Sequence, residues 1–386
     1  MMHIPYTIPL SVNPKFLGDK GIAMARIGCT IEEIDTPALL LDLDVMEANI
    51  EKMADRFKAM PAELRPHAKT HKTPIITQKQ IEAGAIGVTC AKLGEAETMA
   101  EAGVRDILIA NQVVGEPKVT RLMSLARHSD VIVAVEDSLN VRHLAERAKE
   151  KGVRLNVLVE VDVGNNRCGV MPGKPALLLA KEVQGHPSLN LRGLMGYEGF
   201  CQFIADMDEK KRKVTEAMDK LVGTRDTLED AGLGVEIVSA GGTGTHMITG
   251  RHPGVTEVEA GSYVFMDARY SQVPDLEEFG QAISILSTVI STSHKGKVIC
   301  DAGLKTITFE FGMPPIRGRD DARYVRANEE HGHIEVDPGF DLSVGDKLEL
   351  IPTHCCTNTN LYDHLHCIRD GQLEAVWRIQ GRGRSQ

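Results

Sequence analysis

The sequence predicts an α/β fold followed by a smaller β domain, and three features carry that prediction. Short β-rich runs alternate with longer amphipathic ones from about residue 34 to residue 273. Past Val273 the alternation stops, and strand-like runs follow one another with turns between them. A chain of 386 residues is also long enough for one large domain and a smaller one. The βα alternation argues for a parallel sheet, and about eight such units close into a barrel. By length and alternation alone, a doubly wound sheet stays open as well.

Residues 1–33 are aperiodic, carry Pro5, Pro9, Pro14 and Gly18, and read as an arm laid on the surface. Strand 38–43 then leads into helix 46–60, and strand 87–90 into helix 94–102. The strand series continues at 107–110, 131–135, 156–161, 192–196 and 236–239, with helices at 138–151, 175–184 and 206–231 between them. A barrel domain spanning 34–273 results. The β domain, 274–386, begins near the charged Glu277-Glu278. Its strands are expected at 282–291, 297–300, 333–336, 347–351 and 375–379, with Lys295-Gly296 and Asp370-Gly371 as turns.

Composition excludes several classes. At 42% hydrophobic and 25% charged residues the chain reads as globular, and a net charge of −10 argues against a nucleic-acid surface. One tryptophan and six tyrosines form no aromatic platform for bases. No run of about 18 apolar residues is present for a membrane span, and no signal-peptide core opens the chain. Eight irregularly spaced cysteines look like thiols rather than a disulfide framework, which makes the cytoplasm the expected compartment.

The most informative stretch is Arg65-Pro66-His67-Ala68-Lys69-Thr70-His71-Lys72. Flanking cations would disfavour a further positive charge on Lys69, freeing its amine to condense with an aldehyde. A basic surface loop would carry the same residues. Gly241-Gly242-Thr243-Gly244 follows a strand, so its backbone N–H groups can converge on a phosphate, with the Thr243 hydroxyl as a further donor. A tight glycine turn explains the run equally well. Gly261 and Ser262, after the next short strand, could supply the other side of that cradle. Arg167 and Tyr197 both follow strands, where either a turn residue or a ligand contact fits. His67 could act as a base or hold a structural hydrogen bond. His354-Cys355-Cys356 comes after strand 347–351; if that strand continues, His354 and Cys356 share a face and Cys355 points away. An imidazole and a thiolate so spaced make half a divalent-metal site.

These segments together resemble the alanine-racemase-like, fold-type III pyridoxal-phosphate enzymes. The likeness is to the branch holding D-threonine aldolase, 3-hydroxy-D-aspartate aldolase and D-serine dehydratase. It runs in order through Asp35-Thr36-Pro37-Ala38-Leu39, the Lys69 segment, Val159-Glu160-Val161-Asp162-Val163-Gly164 and Arg167-Cys168-Gly169-Val170. It continues through the glycine turn, Ala260-Gly261-Ser262-Tyr263, Asp301-Ala302-Gly303-Leu304-Lys305 and Pro352-Thr353-His354-Cys355-Cys356.

The resemblance implies a pyridoxal-phosphate-binding (β/α)8 TIM-like barrel with a C-terminal antiparallel β domain. It implies Lys69 as the cofactor lysine and Arg167 near the pyridine nitrogen. Tyr197, Gly242, Thr243, Gly261 and Ser262 become further cofactor contacts. His354 and Cys356 become ligands of a divalent ion (zinc, manganese or magnesium), with a thiolate favouring zinc. The implied reaction is metal-activated cleavage of a D-3-hydroxy amino acid to glycine and an aldehyde, by a homodimer. One departure matters: aldolases of the branch typically carry His-x-Asp at the metal pair, whereas its dehydratases carry His-x-Cys, as here. Dehydration to ammonia and a 2-oxo acid is therefore the alternative. A non-catalytic cofactor carrier is a third reading, opposed by the appended β domain.

Overall fold

The computed structural model describes residues 26–339 and 342–386, so the first 25 residues of the expected arm lie outside the described residues. Sixteen strands form among the described residues, and eight of them make one parallel sheet. After β1 (Ala38–Asp42), that sheet takes β2 (Glu63–Leu64), β3 (Val88–Cys90), β4 (Asp106–Gln112), β5 (Asp130–Val135), β6 (Leu155–Glu160), β7 (Leu189–Gly196), β8 (Ile237–Ala240) and β9 (Glu257–Val258). Their order is β2-β9-β8-β7-β6-β5-β4-β3. The two ends meet: Ile86 N donates to Leu64 O at 3.0 Å, Thr89 N to Pro66 O at 2.9 Å, and His67 bridges Thr89 in parallel. The sheet thus curls into a barrel, as the alternation and the resemblance predict.

Period two explains its core. Leu108, Ile132, Ala134, Leu158, Met195 and Ile237 fill the barrel interior, while alternate residues such as Ile107, Val131, Val133 and Val157 pack against the surrounding helices. Those helices are α1 (Leu43–Lys58), α2 (Pro74–Glu82), α3 (Leu93–Glu101), α4 (Glu116–Leu125), α5 (Ser138–Lys151), α6 (Lys174–Gln184) and α7 (Met207–Asp230), with a short α8 (His246–Thr249). Aspartates start three of them. Asp42 accepts from Val45 N, Asp137 from Leu139 N and Asn140 N, and Asp206 from Glu209 N. Helices α2 and α4 were not read from the sequence; each carries a proline in its first turn, where the missing N–H costs nothing.

The second sheet holds β10 (Ile283–His294), β11 (Lys297–Cys300), β12 (Ala322–Ala327), β13 (Gly332–Val336), β14 (Lys347–Leu350), β15 (His364–Arg369) and β16 (Gln372–Arg378). Its path is β12-β13-β11-β10-β1-β15-β16, with β14 also on β10. Strand β1, expected to open the barrel, lies inside this sheet instead, antiparallel to β10 and parallel to β15. Its Ala-Leu-Leu-Leu run is buried throughout, so either sheet could have taken it and sequence periodicity cannot choose. Asp370 and Gly371 both have positive φ (49° and 74°), the two-residue hairpin turn that joins β15 to β16.

Candidate active site

A cavity of about 240 Å3 opens at the C-terminal ends of the barrel strands, the end where such barrels place their chemistry. Its wall includes His67 and Lys69 after β2, Arg167 after β6, Tyr197 after β7, Gly242 and Thr243 after β8, and Gly261 and Ser262 after β9. All seven positions singled out for the cofactor, and His67 with them, therefore surround one space. Lys69 Nζ and the Arg167 guanidinium lie 5.8 and 5.4 Å from the centre of the Tyr197 ring. A Cβ at Gly261 would sit 2.6 Å from His67 O, so only glycine lets these two loops touch.

The segment 65–72 is not a surface loop. Arg65, His67, Thr70, His71 and Lys72 are buried, and only Lys69 of the run's basic residues is part-exposed, toward the cavity. Nor is it strongly cationic. Arg65 pairs with Glu257 at 3.0 Å and with Asp106, and Lys72 Nζ lies 2.5 Å from Glu95 Oε1. Burial pushes His71 down to about 4, and burial together with Lys69 holds His67 well below its ordinary value. The expected ring of positive charge around Lys69 is cancelled by pairing and by neutral imidazoles. His67 Nδ1 accepts from Lys69 N at 3.4 Å, the capping bond of the 3-10 turn Ala68–Thr70 that presents the lysine.

Three glycine N–H groups of the turn after β8 are already engaged. Gly241 N donates to Glu198 Oε2 (3.1 Å), Gly242 N to Thr245 Oγ1 (3.2 Å) and Gly244 N to Gln202 Oε1 (2.8 Å). The N–H of Thr243 has no partner among the described residues, and neither has that of Ser262. Thr243 Oγ1 accepts from Tyr263 N at 3.1 Å, which leaves its proton free to donate. The donors facing the cavity are thus Thr243 and Ser262 rather than Gly242, whose role is to let the chain turn closely against Gln202.

Strand β14 ends at Leu350, and His354 precedes a helical turn, α9 (Cys355–Thr359). The continued strand assumed from sequence does not form. Cys355 is fully buried while His354 and Cys356 are part-exposed, yet the three ligand atoms all lie within 4.8 Å of one another. Cys355 does not point away from its neighbours as strand alternation required. Cys356 Sγ lies 3.5 Å from Thr70 Oγ1, which brings this cluster to the Lys69 loop. The fully buried Asp267 holds the turn: Oδ2 accepts from Cys355 N (3.0 Å) and stands 3.4 Å from His354 Nδ1. An imidazole and a thiol converging so closely suit a borderline-soft divalent ion.

Residues 41–269 match the family described as "Alanine racemase, N-terminal domain", and residues 282–368 match "Putative serine dehydratase domain". The chain belongs to the alanine racemase family. It is 37% identical over 367 residues to a 3-hydroxy-D-aspartate aldolase of Paracoccus denitrificans, covering 92% of this chain and 94% of that one. Among solved structures it resembles D-threonine aldolase from Filomicrobium marinum, at 38% identity and a TM-score of 0.91, with 94% and 99% of the two chains covered. A cysteine-to-alanine variant of D-threo-3-hydroxyaspartate dehydratase in the metal-free form is similar too, at 28% identity and TM-score 0.82 over 91% and 98%. Pyridoxal phosphate is the cofactor expected of the alanine racemase family. The residues present fit it, since the cavity offers one lysine amine together with free N–H and hydroxyl donors.

Sequence reasoning missed four polar residues of this alanine-racemase-family site. Burial lifts the Glu259 carboxyl to about 8, against the bond it receives from Ser239 Oγ at 2.8 Å. Burial likewise raises Glu160, against the bond donated by Gln112. Both carboxyls and Gln112 line the cavity, and Asp267 anchors the 354–356 turn. A signal existed for the two glutamates: each interrupts or ends a hydrophobic strand run, Val-Leu-Val-Glu and Val-Glu-Ala.

Proposed function

We propose that this protein is a pyridoxal-phosphate- and divalent-metal-dependent lyase acting on D-3-hydroxy amino acids, with aldol cleavage to glycine and an aldehyde as its reaction. The observation that carries the reading is that Lys69 and the donors at Thr243 and Ser262 share one cavity, while Cys356 of the His354–Cys356 pair touches Thr70 in its wall. The activities of its aldolase relatives over nearly the whole chain support the choice.

Lys69 would hold the cofactor through its ε-amine, and as a free amine it would carry a proton to or from Cα. Thr243 and Ser262 would bind the phosphate. The Arg167 guanidinium, a donor with no acceptor, would pair with the pyridine nitrogen and favour its unprotonated form. Tyr197, beside both Lys69 and Arg167, would help hold the cofactor. Bound there, the cofactor supplies a sink for the electrons of the bond broken at Cα. A divalent ion on His354 and Cys356 supplies Lewis acidity toward the substrate's 3-hydroxyl. The domains proposed are the barrel and the β domain, joined near residue 273 and working as a homodimer.

The His-x-Cys spacing favours a second reading, dehydration. Incubating holoenzyme with D-threonine and with D-threo-3-hydroxyaspartate separates the two. Glycine plus an aldehyde is expected; ammonia plus a 2-oxo acid would replace the aldolase reading with the dehydratase one. No product from either substrate would leave the cofactor-carrier reading.

A further inference from the structure

Behind the glycine turn stands a charged side chain with no part in the site as built so far. Lys210, on α7, is wholly buried, and its Nζ donates to Gly244 O at 3.0 Å. It makes no ion pair among the described residues, and burial lowers its pKa. A buried ammonium with one hydrogen bond is costly to keep, so the turn must gain something from its charge.

The hydrogen bonds lead from Lys210 toward the cavity. Gly244 C=O shares a peptide unit with Thr245 N–H, which donates to Gly242 O at 3.2 Å. Gly242 C=O in turn shares its peptide unit with Thr243 N–H, the unspent donor at the cavity wall. A carbonyl loaded by a donor polarises its own peptide and makes the N–H on the far side a stronger donor. The chain from Lys210 therefore ends on the group that meets an anion.

A second chain serves as a comparison. The Arg56 guanidinium donates to His246 Nε2 (2.7 Å), so His246 Nδ1–H must donate to Thr243 O (2.7 Å), and Gly244 N passes on to Gln202. That chain also starts on a cation but ends inside the protein. Meanwhile the buried Glu198 accepts from Gly241 N and from the hydroxyls of Thr245 and Thr249 (both 2.7 Å), setting a carboxyl beneath the same turn. That carboxyl sets acceptor oxygens beneath the turn, and Lys210 sets a donor there.

We propose that Lys210 is a positioning residue for the cofactor's phosphate, strengthening Thr243 N–H through two peptide units without touching the ligand. The inference rests on the phosphate cradle assigned above. Apo-protein is titrated with pyridoxal phosphate and with pyridoxal, which lacks the phosphate, and both affinities are read from absorbance. Wild type should prefer pyridoxal phosphate. Lys210→Met should bind it about tenfold more weakly while its pyridoxal affinity is unchanged, and Lys210→Arg should restore the preference. Equal weakening toward both ligands would make Lys210 a mere brace and overturn the proposal, as would an unaltered pyridoxal phosphate affinity. A wild type without preference would remove the cradle itself, whereas a failure confined to the variants leaves it standing. If Lys210→Met does not fold, Lys210→Leu carries the same comparison, because it too removes the donor to Gly244.

Discussion

Lys72 Nζ lies 2.5 Å from Glu95 Oε1, so the second lysine of the run 65–72 is withdrawn into a buried ion pair and Lys69 alone faces the cavity. Glu95 is anchored as well through its other oxygen, which accepts from Ala91 N at 2.8 Å. The pair ties the Lys69 loop to α3 and decides which of two neighbouring amines is available. Removing one partner should be expensive. Lys72→Met is expected to cost about 3–5 kcal/mol in urea denaturation, because it strands a buried carboxylate. Adding Glu95→Gln should recover part of that loss; a double variant weaker than the single one would contradict the pairing.

Lys69→Ala should leave the fold intact, with a stability change within about 0.5 kcal/mol, since the side chain is part-exposed and makes no ion pair among the described residues. It should abolish both the visible absorbance of lysine-bound cofactor and turnover. Retention of that band in the variant would move the cofactor to another amine.

The cluster after β14 gives a metal prediction. Chelator treatment should stop turnover yet leave the cofactor absorbance, because the proposed ion would contact substrate and not the cofactor. Cys356→Asp should shift the preference toward manganese or magnesium, as a hard ligand replaces a soft one. Cys355→Ser should keep turnover. Loss of activity in Cys355→Ser with Cys356→Ser tolerated would exchange the two sulfurs' roles.

Asp267 should matter to that cluster without binding the ion itself. Its carboxylate accepts from Cys355 N, Arg269 N and Tyr270 N, so Asp267→Ala leaves two buried donors and one part-buried donor unmet. A loss of roughly 2–4 kcal/mol is expected, together with weaker zinc retention on dialysis. Unchanged stability would mean that the 354–356 turn holds itself.

Glu259 sets a pH dependence. Its carboxyl is held up to about 8 by burial, against an ordinary value of 4.5. Between those two values the unfolded chain gives up a proton that the folded apo-protein keeps. Stability should therefore fall as pH rises from about 4.5 to 8 and level off above. Glu259→Gln should flatten that decline and raise the urea midpoint more at pH 8 than at pH 5. An equal shift at both values would show that Glu259 is ionised in the folded protein.

Most helices and inner strands were legible because burial imposes periods that a sequence displays. The all-apolar run 131–135 could only be a buried strand, and α7 has Asp206 as its cap with apolar positions such as Val214, Ala217, Met218 and Leu221 on one face. Glu63–Leu64 and Glu257–Val258 are too short to show any period, yet they close the barrel and carry Lys69 and Ser262 to its mouth.

By itself, the sequence determined the alternation that makes a barrel, the switch to antiparallel strands, and the set of residues grouped by family motifs. Those are local or near-local facts, fixed by side-chain type and spacing. Only the tertiary structure decided that β1 leaves the barrel for the other sheet, that Lys72 is spent on Glu95, that Gly242 N–H is spent on Thr245 and that His354 opens a helical turn. Each is a choice among partners far apart in the chain. A hydrogen-bonding or charged group advertises in sequence what it can bind, but only the fold settles which competitor reaches it first.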